Sequence, residues 1–557
     1  MRIVVAPEAE GRYRLRALDG ELPGSLGESP VRAGGLAELE REMRPRWVLP
    51  AADDLYPALL GAGVRLGRCH DLALTEALLL GHAGRHDSPR ALPAAWARLH
   101  GLPEPPDAEP RGQPQRDQPS LFEPEREALP RGVDPLSAAT EVYEAQQLAL
   151  AGLEHPERMR LLVAAESAGA LAAAEMSEHG LPWRADVHAA LLERLLGPRP
   201  AIGERPRRLA ELAERVGAEL GGRAVNPDHP PTVIKAFAAA GVDIPSTRAA
   251  ALREVDHPAV PPLLEYKELA RLYVAHGWSW LNTWVHNGRF RPVYVVGGVV
   301  SGRWASRGGA ALQLPKELRT AVRADTGWKL VVADAAQLEP RILAALSGDE
   351  RLATVAGSSD LYTGLATDSF EGDRSRAKTA MLSAMYGGTA GGAAALLALL
   401  RNRFPKAVDF VESAALAGER GELVRSRLGR TSPPPSQEWR TATGASTADA
   451  AAEHRSRRIA REWGRFTRNF VVQASAADWA LAVLATLRTR LAEHAPGAEV
   501  VFFQHDEIIV HCPAEQAEPV RAQLTESAAA ASTLVFAATP VRFPLEVAVV
   551  DCYADAK

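Results

Sequence analysis

Two stretches far apart in this chain each end a run of core-forming residues on a carboxylate, and that pairing constrains the fold more than any other feature. Leu330-Val331-Val332-Ala333 runs into Asp334, and Val500-Val501-Phe502-Phe503 runs through Gln504-His505 into Asp506-Glu507, followed by Ile508-Ile509-Val510. Short continuous apolar runs of this kind predict buried strands, and two of them around a tight polar break predict strands joined by a turn. The acids then sit at strand ends. If the two segments are neighbours in one sheet, Asp334 and Asp506 can share divalent cations, as two-metal phosphoryl transfer requires. For an isolated strand-end aspartate, a turn or helix cap is the simpler reading.

Between these segments, Asp373 to Tyr386 reads as a helix. Arg374, Lys378, Leu382 and Tyr386 recur every fourth residue, so they form one ridge that brings cations to match a triphosphate. A solvated basic face is the plainer alternative, but Ala380 to Met385 is too apolar for a helix exposed all round. Arg465, Asn469 and Gln473 repeat the four-residue spacing on another predicted helix.

Taken together, LVVADAAQLEPR, the Asp373 to Tyr386 helix and VVFFQHDEIIVHC resemble, in order, the A, B and C motifs of family A DNA polymerases, the bacterial DNA polymerase I family. The nearest resemblance is to the actinobacterial type labelled bifunctional 3′-5′ exonuclease/DNA polymerase, and it covers roughly the last two-thirds of the chain. It implies a multidomain α/β and α+β protein: a right-hand polymerase of palm, fingers and thumb, preceded by a degenerate ribonuclease H-like exonuclease domain. The implied activity is template-directed transfer of deoxynucleotides to a primer 3′-hydroxyl, in DNA repair or replication gap filling.

The resemblance also assigns residues. Asp334 and Asp506 would hold two Mg²⁺ ions, with Mn²⁺ as a substitute, the Ala335 carbonyl as a further ligand and Glu507 as a supporting carboxylate. Arg374 and Lys378 would grip the triphosphate, and Lys378 would protonate the leaving pyrophosphate. Gln337, Tyr362, Leu382 and Tyr386 would line the nucleotide site, and Glu339 would close the space beneath the sugar C2′. Arg303, Arg465, Asn469, Gln473 and His505 would touch the primer-template, where minor-groove acceptors common to every correct pair report geometry without reading sequence.

The sequence departs from the pattern in places. Pro340 follows Glu339 where leucine is usual, a change tolerated in the first turn of a helix. Leu382 replaces an aromatic residue, and Tyr362 replaces a histidine and so cannot carry positive charge. A proofreading site needs clustered carboxylates. Its first motif corresponds to Ala6-Pro7-Glu8 and its last to Tyr143-Glu-Ala-Gln-Gln147, both lacking the aspartate, with Asp54 and Asp71 as relics of the middle motif. No proofreading is therefore expected. Two other readings compete: a weakly catalytic primer-template binding factor with a polymerase fold, and an active 3′-5′ exonuclease.

At 557 residues the chain is too long for one core. Expected boundaries are 1–153 for the exonuclease-like domain with a Pro-rich linker at 101–135, 154–295 for the thumb, 296–360 and 471–557 for the palm, and 361–470 for the fingers. A formal charge of −5 does not advertise nucleic acid, which a local basic cleft can still bind. The three cysteines form no metal-ligand pattern. No signal peptide and no segment apolar enough to cross a bilayer is evident, so a monomer in the cytoplasm, associated with the nucleoid, is expected, with no 5′-nuclease domain ahead of it. Within the linker, Gln118, Leu121 and Phe122 resemble a peptide that docks on a sliding clamp.

Overall fold

The computed structural model describes residues 1–23, 29–108, 129–201, 203–222, 224–387, 393–444 and 450–556. Gln118, Leu121 and Phe122 lie outside the described residues. The chain forms two compact units. The first comprises Met1–His179, Tyr294–Ala305 and Val331–Val549, and the second Gly180–Val293, Ser306–Leu330 and Val550–Lys557.

The first unit begins with strands β1 (Arg2–Pro7), β2 (Arg12–Ala17), β3 (Val31–Arg32), β4 (Arg46–Leu49) and β5 (Arg68–Asp71). They make one sheet in the order β3-β2-β1-β4-β5, with β1 antiparallel to β2 and parallel to β4, which is parallel to β5. Ile3, Val4, Val5 and Ala6 form an unbroken apolar run because both faces of β1 are covered. Ile3 and Val5 join a core with Leu36, Trp47 and Tyr56, while Val4 and Ala6 join another with Val48, Leu72 and Tyr143.

Six helices carry the rest of the argument: α1 (Pro156–His179), α2 (Leu338–Ser347), α3 (Leu361–Ser369), α4 (Arg374–Tyr386), α5 (Pro405–Glu419) and α6 (Ala450–His494). Helix α1 packs on β5 and on α6, so it belongs to the first unit. The expected boundary at 153/154 therefore falls between two helices of one compact body. Buried charge explains the attachment. Arg488 of α6 bonds Glu175 of α1 at 2.6 Å and the carbonyls of Leu66 and Gly67, and the Tyr56 hydroxyl donates to Glu175 at 2.6 Å. Arg430 is buried between Glu166 of α1, at 2.5 Å, and Asp478 of α6, at 2.8 Å. Such ions are tolerable in an interior only when paired, so they weld the elements that carry them.

Helix α6 runs unbroken for 45 residues through the expected 470/471 boundary. It also corrects the expectation that no segment is apolar enough to span a bilayer: an 18-residue window in it has mean hydropathy 1.6, but 83% of that window is buried inside the fold. Its apolar surface faces protein.

The second unit is mainly helical around an aromatic core. Residues 260–284 form two helices, Val260–His276 and Trp278–Trp284. The break is at Gly277, whose ψ of −168° is extended and where a Cβ would lie 2.3 Å from the Tyr273 carbonyl oxygen. Trp280 packs against Trp183, Phe290 and His276 with ring centres 5.2, 4.8 and 5.3 Å apart. His188 is fully buried there, its Nε2 bonded to the His276 carbonyl at 2.9 Å.

Burial pushes both His188 and His276 down to about 4. The unfolded chain takes up these protons near 6.5, so the stability they confer is complete above that pH, falls as pH descends, and is fully lost by about 4. At pH 5 each should cost about 2 kcal/mol relative to pH 7.5. Urea unfolding followed by tryptophan fluorescence at the two pH values checks this, and His188→Gln should halve the difference.

Candidate functional site

The site is built on a second sheet, most of which lies in the first unit. Its strands are β6 (Trp328–Ala335), β7 (Glu499–Gln504), β8 (Glu507–Pro513) and β9 (Leu545–Val550), in the order β7-β8-β6-β9. Gln504 pairs with Glu507 across the hairpin, so only His505 and Asp506 form the turn. His505 adopts φ 58°, a left-handed conformation that is costly for a side-chain-bearing residue. That turn meets the end of β6 directly, because the Ala335 N–H donates to the Asp506 carbonyl at 3.0 Å. Asp334 and Asp506 are thereby brought to the same edge of the sheet, and Glu507 is buried beside them at the start of β8.

Two carboxylates and neighbouring carbonyls make an oxygen-only donor set. This suits a hard cation such as Mg²⁺, which takes one or two protein carboxylates and completes its shell with water and phosphate. Among the described residues, no group of three or more His, Cys, Asp or Glu side chains is arranged to hold a metal.

Beyond β6, α2 starts after Gln337, which takes φ 54°. Pro340 is the third helical residue, inside the first turn, where a missing N–H leaves no bond unmade. Glu339, in the same turn, accepts bonds from Arg303 Nη2 at 2.5 Å and from the Tyr386 hydroxyl. Burial, then the Glu339 carboxylate, push the Tyr386 phenol well above its ordinary range, and Gln473 reaches the same hydroxyl. Arg303, Glu339, Tyr386 and Gln473 are thus one connected group. Gly302 precedes Arg303 for a local reason: a Cβ there would stand 2.4 Å from the buried Arg430 guanidinium.

Helix α4 presents the predicted ridge. Ala377, Ala380, Met381, Ala384 and Met385 face the interior, while Arg374, Lys378 and Tyr386 are exposed and Leu382 is half-buried. Asp373 caps its first turn by accepting from the Arg376 N–H at 3.0 Å. Arg374 Nε donates to Asp360 at 2.9 Å, and its guanidinium lies 5.6 Å from the centre of the Tyr362 ring. Tyr362 itself is buried. Although burial pushes the Asp360 carboxyl up, bonds from Arg374 and Thr363 hold it down to about 2.

Gln337 is held on both sides of its amide: Nε2 donates to Asp360 at 2.9 Å and Oε1 accepts from the Leu361 N–H at 2.8 Å. On α6, Arg465 is exposed with Glu462 at 3.8 Å, and Asn469 Oδ1 is enclosed without a partner. Burial, then the charge of Arg303, lower the affinity for a proton of His505, which shares the turn with Asp506.

Two contributors escaped the sequence reading. Asp360 joins Gln337, α3 and Arg374. Arg341 is fully buried and donates to the carbonyls of Ala336, Ala356, Ser358, Ser359 and Arg542 at 2.6 to 3.0 Å. The available signal was an arginine set among Leu338, Ile342, Leu343 and Ala344 of α2, a helix apolar nearly all round, where a charge survives only with internal acceptors.

In the amino-terminal sheet, the residues at the exonuclease-like motifs have other engagements. Glu8 is paired with Arg14 at 2.5 Å, and the Tyr143 hydroxyl accepts from Arg2 at 3.2 Å. Asp71 is buried and accepts from the N–H groups of Ala52 and Leu74 at 2.7 and 2.8 Å, acting as a helix cap. Burial pushes its carboxyl up to about 7. Asp54 is exposed on the helix Ala52–Gly61.

Comparison with known proteins gives a consistent answer. The model of DNA polymerase family A matches residues 233–551. Among similar proteins, "DNA polymerase I, thermostable" of Thermus thermophilus is 31% identical over 338 residues, 55% of this chain and 37% of that protein. The Thermus aquaticus protein of the same description is 30% identical over 335 residues, again 55% and 37%. The chain thus spans a little over a third of the length of these relatives. A solved structure, the POL domain of Pol1 from M. smegmatis in complex with DNA primer-template and dNTP, matches with a TM-score of 0.71 at 18% identity, over 100% of this chain and 95% of that one. The mixed α/β architecture is therefore that of a polymerase domain, and the matched region contains both acidic strand ends and the α4 ridge. The chain belongs to DNA polymerase family A.

Proposed function

We propose that this protein is a template-directed DNA polymerase that adds deoxynucleotides to a primer 3′-hydroxyl, in repair or replication gap filling. The observation that carries the reading is the hydrogen bond between the turn bearing Asp506 and the residue after Asp334, which joins the two strand ends that carry these acids. Asp334 and Asp506, with the Ala335 carbonyl, would hold Mg²⁺. When bound, the ions lower the pKa of the primer hydroxyl and neutralise charge on the phosphates.

The chain's own residues do the rest. Arg374 and Lys378 draw the triphosphate to α4, and Lys378 is the proton donor to pyrophosphate. Glu339, fixed by Arg303 and Tyr386, fills the space under the sugar. Arg465, Asn469, Gln473 and His505 face the primer-template. On this reading the sheet β6 to β9 is the palm, the α3 to α5 region the fingers and the second unit the thumb, and the protein works as a monomer in the cytoplasm. Docking on a sliding clamp through Gln118, Leu121 and Phe122 rests on sequence resemblance alone.

The amino-terminal lobe is read as a ribonuclease H-like exonuclease domain that has lost its chemistry. What supports this is Ala6 and Gln147 in place of acids, together with Glu8 paired to Arg14 and Asp71 committed to backbone amides. Primer extension on a recessed duplex with Mg²⁺ and four deoxynucleotides tests the polymerase reading, and a matched lane without nucleotides tests the lobe. Extension, with an intact primer in the nucleotide-free lane, is the expected result. Stepwise shortening there would restore the exonuclease reading, and duplex binding without extension would favour a non-catalytic binding factor.

A further inference from the structure

The Asp360 carboxylate is a meeting point for three groups of the nucleotide site. Its Oδ1 accepts from the N–H groups of Tyr362 and Thr363 at 2.9 and 3.2 Å and from Gln337 Nε2 at 2.9 Å. Its Oδ2 accepts from Thr363 Oγ1 and from Arg374 Nε, both at 2.9 Å. The first two bonds cap α3, and capping needs nothing more. The bonds to Gln337 and Arg374 are extra, and they tie the start of α2 and the start of α4 to the same oxygen pair.

We propose that Asp360 is a positioning residue that holds Arg374 and Gln337 oriented to receive the phosphates of an incoming nucleoside triphosphate, an inference that rests on the polymerase reading. Among the described residues, Arg374 gives Asp360 its Nε–H, which leaves both terminal nitrogens of the guanidinium as a fork for phosphate. The Tyr362 ring lies alongside that guanidinium. Gln337 has its amide orientation fixed by Asp360 on one side and Leu361 on the other, so its ordering cost is met before the nucleotide arrives.

A carboxylate near a polyphosphate also repels it. Half-exposed and screened by salt, that repulsion weakens binding by about twofold, whereas leaving a long arginine to be ordered on binding weakens it by about 2-fold to 10-fold. Positioning outweighs repulsion.

The test is Asp360→Asn, alone and with Arg374→Ala. Asparagine keeps an oxygen to cap α3 and to accept from Gln337, but it offers no second oxygen to Arg374. Affinity for the matched deoxynucleotide is measured by equilibrium titration of the protein bound to a dideoxy-terminated primer-template, which needs no chemistry. Asp360→Asn should weaken binding by about 2-fold to 5-fold with an unchanged thermal midpoint, and should cause no weakening once Arg374 is alanine. Equal weakening in both backgrounds, tighter binding, unchanged affinity or a lowered thermal midpoint would each overturn the proposal. Wild type that binds nucleotide but fails to extend a primer would overturn the polymerase reading alone, and wild type that binds none would overturn both.

Discussion

Asp506→Ala and Asp334→Ala should each lower the single-turnover rate of primer extension by at least about 10³-fold while leaving primer-template affinity within about threefold. The turn that carries Asp506 is joined to β6 through the Asp506 backbone carbonyl, a bond that truncating the side chain keeps. Truncating the side chain therefore removes negative charge from the site and leaves the hairpin in place. If the two acids act together on shared cations, the double variant should be no slower than either single one, because residues that work as a unit do not contribute additively. Rapid-quench extension of a labelled primer, with fluorescence anisotropy for duplex binding, gives both numbers. A residual rate within tenfold of wild type for either variant would remove that residue from the site.

The second large effect should come from a residue that touches no substrate. Arg341→Ala should destabilise the first unit by about 3 to 5 kcal/mol. Arg341 is wholly enclosed, and no carboxylate is its hydrogen-bond partner. It is held by five backbone carbonyls drawn from the turn after β6, the loop before α3 and the segment before β9. Removing it strands those carbonyls in a dry interior and leaves a cavity the size of the side chain. Arg341→Lys, with fewer donors and no planar fork, should recover only part of the loss. Urea denaturation checks this, and a loss below about 1 kcal/mol would mean that water can take over the five acceptors. Because Arg341 also bonds Gln337 Oε1 at 3.3 Å, a weakened nucleotide affinity should accompany the fall in stability.

The parts of the site that rest on neighbouring residues were legible in the sequence. Apolar runs ending in acids gave β6 and the β7–β8 hairpin, since a buried strand needs a continuous apolar stretch and a two-residue turn leaves little freedom in register. Four-residue spacing placed Arg374, Lys378 and Tyr386 on one face of α4, because helical geometry decides this locally. Pro340 fell in a first turn as expected. The helix break at Gly277 was not legible, since periodicity does not register that a Cβ there would strike the Tyr273 carbonyl.

The rest depended on distance in space. That Asp334 and Asp506 share an edge follows from β8 lying beside β6, although the two acids are separated by the whole α2 to α6 region. Whether a charge is a surface solubiliser or a buried weld is equally invisible in one dimension. Arg430, Arg488 and Arg341 look like any of the chain's many arginines until the fold encloses them beside Glu166, Glu175 and a ring of carbonyls. Sequence by itself determined the strands, the hairpin, the cationic ridge and the chemistry these residues can offer, because those follow from short-range sterics and hydrophobic period. Tertiary structure alone decided which acids meet, which arginines are buried and how Asp360 joins α2, α3 and α4, because burial and pairing are set by contacts between segments that local pattern does not specify.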